Sequence, residues 1–157
     1  MRLQFRPAVH PIPLYIGALA LETVDLAGET ADGVMLYLSP PERVKIAIDR
    51  LRRSATKGGR NPDAIDVTLG IPIYLSDDIE AARAAARRNL VFSGSLPFYN
   101  RLFRKSGFVT EAEGMSQGMA NGNQAAAAAA VSDAMIDSMC LVGPAVAVAS
   151  NSRHFET

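Results

Sequence analysis

The residues best placed to do chemistry form a short turn, Gly17-Ala18-Leu19-Ala20. It follows an apolar run, Leu14 to Ala18, that reads as a buried strand. It leads into "ALETVDLAGETA", where Ala20, Val24, Ala27 and Ala31 repeat at helical spacing. A second apolar run, Val34 to Leu38, comes next. Strand, helix and strand in about 25 residues is close to the minimum for a parallel crossover unit. The turn therefore lies at a strand's C-terminal end and a helix's N-terminus. Free backbone N–H groups and the positive end of the helix dipole can hold a phosphate there with no basic side chain. The turn lacks the glycine pattern of a known phosphate loop, so an ordinary turn without a ligand stays open beside that reading.

Other reactive residues carry less. Asp32-Gly33 has the look of a ribose-binding acid, but a helix stop before a strand explains it more simply. Asp66 and Thr68 fall on the polar face of a strand, where structural filling outweighs catalysis. His10 and His154 have no second ligand at metal spacing, so no metal site is expected. Cys140, between Met139 and Leu141, reads as a buried apolar residue rather than a nucleophile. "RLRRSATKGGR" is basic where a helix ends, and positive charge suits that end of the dipole. No Ser/His/Asp set, carboxylate pair or P-loop is legible, and the catalytic residues stay unassigned.

Bulk properties narrow the class. The chain has 157 residues, with Lys plus Arg and Asp plus Glu balanced at 16 each. That is one domain's worth, and a neutral chain is poor bait for nucleic acid. One cysteine excludes a disulfide framework and points to a reducing, cytoplasmic compartment. No run approaches the ~18 apolar residues of a membrane span, and the N-terminus reads as no signal peptide.

In "SPPERVKIAIDRLRRSATKGGRNP", Ser39 and Glu42 are spaced as a capping box, with Pro40 at the first helical position. Val44, Ala47, Ile48, Leu51 and Ala55 form the buried stripe, and Lys57-Gly58-Gly59 supply the C-terminal cap. "IDVTLGIPIYLSD" alternates Ile65, Val67, Leu69, Ile71, Ile73 and Leu75 with small or polar residues, which predicts one strand. Pro72 argues that pairing weakens within it. Asp77 and Glu80 are spaced as a cap and its partner for a helix with stripe Ile79, Ala82, Ala86 and Leu90. Val91 to Leu141 reads as helical in several pieces, without a further strand. Strand-helix alternation of this kind implies a parallel sheet with right-handed crossovers. Three such units are short of the roughly 250 residues of a (β/α)₈ barrel.

"PLYIGALALETVDLAGETADGVMLYLSPPERV" closely resembles a segment of the bacterial luciferase-like monooxygenase superfamily, in the branch of deazaflavin (coenzyme F-420) dependent oxidoreductases. Pro13, Tyr15, Ile16, Gly17, Ala18, Leu26, Ala27, Gly28, Glu29, Ala31, Asp32 and Gly33 carry the match. "GRNPDAIDV", the "DD" and "EAAR" after the third strand, "LPFY" with "SGF", and "LVGPA" extend it from Leu3 to Val148.

The resemblance implies an α/β fold, a partial TIM (β/α)₈ barrel, with these three strands its fifth to seventh. Residues 13–90 would be strand-helix units, 91–142 a helical insertion and 143–157 an aberrant tail of a single partial domain. The tail "VAVASNSRHFET" offers neither the amphipathic helix nor the eighth strand expected after "VGPA". The chain thus reads as the C-terminal part of a longer enzyme, with little activity alone. The resemblance further implies F-420, with FMN as the alternative, held by its phosphate at Gly17, Ala18, Leu19 and Ala20, and a small organic substrate. The family's usual Gly-Pro is Ala20-Leu21 here. Alanine still presents an N–H but does not adopt positive φ cheaply. The reaction would be hydride transfer or oxygenation. The competing expectation is a non-catalytic module that self-associates as a homo-oligomer through bare sheet edges.

Overall fold

The computed structural model describes residues 12–151. Three strands, β1 (Tyr15–Gly17), β2 (Gly33–Tyr37) and β3 (Asp66–Gly70), pair in parallel in that order. Tyr15 lies opposite Gly33, and Gly33 opposite Asp66. Helices α1 (Leu21–Thr30) and α2 (Pro41–Lys57) make the two crossovers. Their apolar stripes and one face of the sheet form a core of Ala18, Val24, Ala27, Ala31, Val34, Leu36, Val44, Ala47, Leu51, Ala55 and Ile65. The predicted stripes are therefore mostly the buried ones, although Ala20 and Ile48 are only half-buried and Ile79, of the third predicted stripe, is exposed.

Close helix approach is written into Gly28. A Cβ there would fall 2.0 Å from Ser54 Oγ and 2.7 Å from the Leu51 carbonyl oxygen. Arg60 ties off α1, donating to the carbonyls of Gly28 (2.8 Å) and Ala31 (2.6 Å). The basic run after α2 thus serves the negative end of the neighbouring helix. Lys57-Gly58-Gly59 ends α2 as expected, with Gly59 at φ 71°.

Four sequence expectations need correction. The third strand breaks at Ile71-Pro72 into β3 and β4 (Ile73–Leu75). Proline has no N–H to give the ladder, and its carbonyl instead accepts from Leu141 N at 2.9 Å. A further strand, β5 (Leu141–Gly143), pairs in parallel with β4 in a second sheet. A helix, α8 (Ala145–Asn151), occupies the segment that offered none. Both predicted caps are one residue early. Pro40, not Ser39, is the N-cap of α2, and Asp78, not Asp77, caps the helix that starts at Ile79 by accepting from Ala81 N at 3.0 Å. The Ser39 hydroxyl donates to the Tyr37 carbonyl instead.

Helices α3 (Ile79–Gly94), α4 (Pro97–Lys105), α5 (Val109–Ala120), α6 (Gln124–Ala129) and α7 (Asp133–Met139) enclose a second core. It contains Leu90, Leu102, Phe103, Met115, Met135, Ile136 and Met139, all at most 2% exposed. Asn100 laces it, its amide donating to the carbonyls of Ala112 (2.8 Å) and Gly94 (3.1 Å). The two cores meet at the C-terminal end of β2. Leu38 belongs to the helical core, while Val34 and Leu36 belong to the sheet core. Its φ of 49°, in the left-handed region, takes its side chain out of the strand's alternation. Tyr37 packs edge-on to Tyr99 beside it, ring centroids 6.1 Å apart.

Candidate active site

The four candidate residues stay together at the C-terminal end of β1. Ala18 is buried, and its N–H donates to the Met35 carbonyl at 2.9 Å. Ala20 is the N-cap of α1, with φ −106° and ψ 145°. That is ordinary extended backbone, so alanine costs nothing here by way of φ. No side chain caps the helix. The N–H groups of Leu19, Ala20, Leu21 and Glu22 find no acceptor among the described residues. They are the orphan donors of a helix start. A Cβ added at Gly17 would meet nothing within 4 Å, so one side of the turn is open. Behind it, between Ala18, Val24, Leu36 and Ala47, the free space is about 10 Å³. That is no more than one water needs. A ligand therefore has room only on the open side.

Sequence reasoning missed Arg43. Its Nη2 donates to the Leu19 carbonyl at 3.0 Å, and the residue is 8% exposed. Burial lowers its pKa from the usual guanidinium value, with Glu22 opposing that shift. The signal was present: Arg43 precedes Ala47 and Leu51 at intervals of four, on the stripe that α2 buries.

The other candidates are structural. Asp32 accepts from Leu14 N at 2.9 Å and lies at the start of β2, the end of the sheet away from the turn. It cannot serve a ribose held there. Asp66, at the same end, accepts from the Tyr15 hydroxyl at 2.7 Å, and this bond raises the tyrosine's pKa. The Thr68 hydroxyl donates to the Val34 carbonyl at 3.2 Å. Tyr15 lies over Gly33, where a Cβ would come within 2.3 Å of its ring. Cys140 is buried, which pushes its thiol up to about 12, and that is no nucleophile at neutral pH. His10 and His154 lie outside the described residues. Among the described residues no three His, Cys, Asp or Glu side chains gather as a metal site. No helix there is long and apolar enough to cross a membrane. A groove of about 630 Å³ runs between α2 and the outer side of β3, past Ile48, Ile65 and Val67. It lies on the wall away from the turn.

Comparison with known proteins follows this geometry. A family model described as luciferase-like monooxygenase matches residues 1–157. A 5,10-methylenetetrahydromethanopterin reductase of Archaeoglobus fulgidus is 30% identical over 149 residues, which is 90% of this chain and 43% of that protein. One from Methanolobus tindarius is 32% identical over 81 residues, 52% of this chain and 25% of that protein. The solved coenzyme F-420 dependent tetrahydromethanopterin reductase of Methanopyrus kandleri superposes with a TM-score of 0.76 at 24% identity, covering 92% of this chain and 42% of that one. An F-420-dependent secondary alcohol dehydrogenase superposes at 0.66 and 18% identity, covering 94% and 41%. These superpositions show the fold: the chain carries part of a TIM barrel. It spans less than half the length of the relatives it matches.

Proposed function

This chain belongs to the luciferase-like monooxygenase family, and on that premise we propose that its Gly17–Ala20 turn holds the phosphate of a flavin-type cofactor in an F-420-dependent oxidoreductase. One observation carries the reading. Among the described residues, four N–H groups at the start of α1 lack an acceptor beside the open side of Gly17. Anions sit well at such a place because the donors and the helix dipole point the same way. F-420 takes precedence over FMN because the reductase and the dehydrogenase on which the chain superposes are F-420-dependent. The bound cofactor would supply hydride transfer or oxygenation on a small organic substrate, and the protein would supply placement and exclusion of water. In this reading the groups facing the reactive ring come from barrel strands other than β1–β3, so turnover belongs to a whole barrel. A cytoplasmic location, consistent with the lone buried thiol, is part of the proposal.

Fluorescence titration of the purified protein with F-420 and with FMN tests it. Saturable binding that inorganic phosphate competes away supports the reading, and tighter binding of F-420 supports the preference. Absence of binding to both removes it. The bare sheet favours a second reading, a module that self-associates. Among the described residues, strands β1 and β3 each pair on one side only, and Leu14 and Met35 are 67% and 54% exposed. A mass by light scattering that rises with concentration, without cofactor binding, selects it.

A further inference from the structure

We propose that Arg43 is the positioning residue of the Gly17–Ala20 turn: its guanidinium holds the Leu19 carbonyl inward, which leaves the amides of Leu19 to Glu22 for an anion, and its own charge adds to their pull on that anion. The inference rests on the phosphate reading above and adds the residue that makes the turn selective for anions.

Three observations converge. Arg43 reaches from the first turn of α2 to the Leu19 carbonyl, 24 residues earlier in the chain, and bonds it at 3.0 Å. A peptide whose carbonyl is drawn to one side presents the following N–H to the other, and the Leu19 to Glu22 amides have no acceptor among the described residues. The second observation is electrostatic. Arg43 is 92% shielded from solvent, as its 8% exposure states, yet it joins none of the ion pairs formed among the described residues. Arg50, Arg83, Arg87 and Arg104 all have carboxylate partners. A buried cation is ordinarily paired. Arg43 also sits at the start of α2, where the helix dipole repels positive charge. Glu22, in the first turn of α1, offsets part of that charge without forming an ion pair with it; the remainder, together with the two helix starts, favours an anion. Third, the guanidinium fork suits this double duty. One N–H serves the carbonyl while the planar, permanent charge stays in place, which an ammonium on a flexible stem does less well.

The test compares wild type with Arg43→Met and Arg43→Lys. Without any ligand, the Leu19 carbonyl ¹³C resonance reports its hydrogen bond. It should move in Arg43→Met and move less in Arg43→Lys, with far-UV circular dichroism unchanged in both. An unmoved resonance in Arg43→Met overturns the positioning role. With ligand, F-420 and inorganic phosphate are titrated against all three proteins. Arg43→Met should weaken both at least tenfold, Arg43→Lys should restore part of the loss, and binding should be salt-dependent in wild type. Equal affinity in wild type and Arg43→Met overturns the proposal. If wild type binds neither probe, the phosphate reading and the anion half of this proposal fall together. The carbonyl resonance then still decides whether Arg43 shapes the turn. If Arg43→Met fails to fold, an Arg43→Lys affinity equal to that of wild type overturns the geometric claim, because lysine keeps the charge and loses the fork.

Discussion

From Tyr15 to Gly70 the chain buries one face of a sheet and leaves the other bare, whereas from Ile79 to Met139 helices gather around a core that Leu38, Tyr74 and Val142 close from the strand side. The first region is built from small parts. Alanines and valines dominate its core, and Gly28 brings α1 and α2 almost into backbone contact. The second is filled with Phe103, Met115, Met135 and Met139, as suits short helices at irregular angles. Two regular helices laid over a sheet leave thin, even gaps that only small side chains fit. Several short helices packed together leave uneven gaps, and flexible methionines fill them. The contrast also sorts function. The bare face, with the turn at one end, is where a ligand or another piece of protein has access. The helical region has a recess of its own, about 400 Å³ beside Asn100, Arg104 and Ser116, on its outer surface.

The contrast predicts unequal costs. Phe103→Ala, at a fully buried position, should cost about 3–5 kcal/mol in urea unfolding. A cost under ~1 kcal/mol would mean that the helical core is loose. Gly28→Val should cost at least about 1–3 kcal/mol by overpacking the α1/α2 crossing. No effect would deny that close approach organises the sheet region. The third prediction concerns pH. Burial pushes Cys140 and Tyr74 up to about 12. Both groups are neutral when protonated, so at neutral pH the folded and unfolded chains hold the same protons there and stability is whole. Above roughly pH 8.5, where an ordinary thiol ionises, the unfolded chain loses protons first. Stability then falls until the pH passes about 12. Urea midpoints measured from pH 7 to 11 should be level and then drop, and Cys140→Ala should flatten the drop. An unchanged slope in that variant would assign the alkaline loss elsewhere. The smallest effect belongs to Met35→Lys on the bare face, within about 0.5 kcal/mol. A large loss there would show that the face is covered in solution, and light scattering on the variant would identify self-association as the cause.

The sequence made the three strand-helix units and their buried stripes legible because alternation and helical spacing are local signals. What it hid was short or set by geometry. Strand β5 has three residues between a helix and a proline, too few for a period to show. The α2 cap is misplaced because Ser39 and Glu42 have capping-box spacing, yet Pro41 forces Pro40 into extended backbone (φ −66°, ψ 158°), so helix begins one residue later. Candidate turn residues could be found from the strand-to-helix junction. Their partner Arg43 is 24 residues away from Leu19, and only folding shows that they touch. The residues of "LAGETADG" turn out to be mostly architectural. Ala27 and Gly28 seat α1 on α2, Asp32 fastens Leu14, and Gly33 makes way for Tyr15.

Leu38 has a consequence for cooperativity. A non-glycine residue in the left-handed region stores backbone energy that must be offset elsewhere, and here its buried side chain is lodged among the helices while its strand is lodged in the sheet. Neither half can melt without releasing that residue. The two cores, so different in composition, are thus pinned to each other at Leu38, with Leu19 and Tyr37 packed beside it.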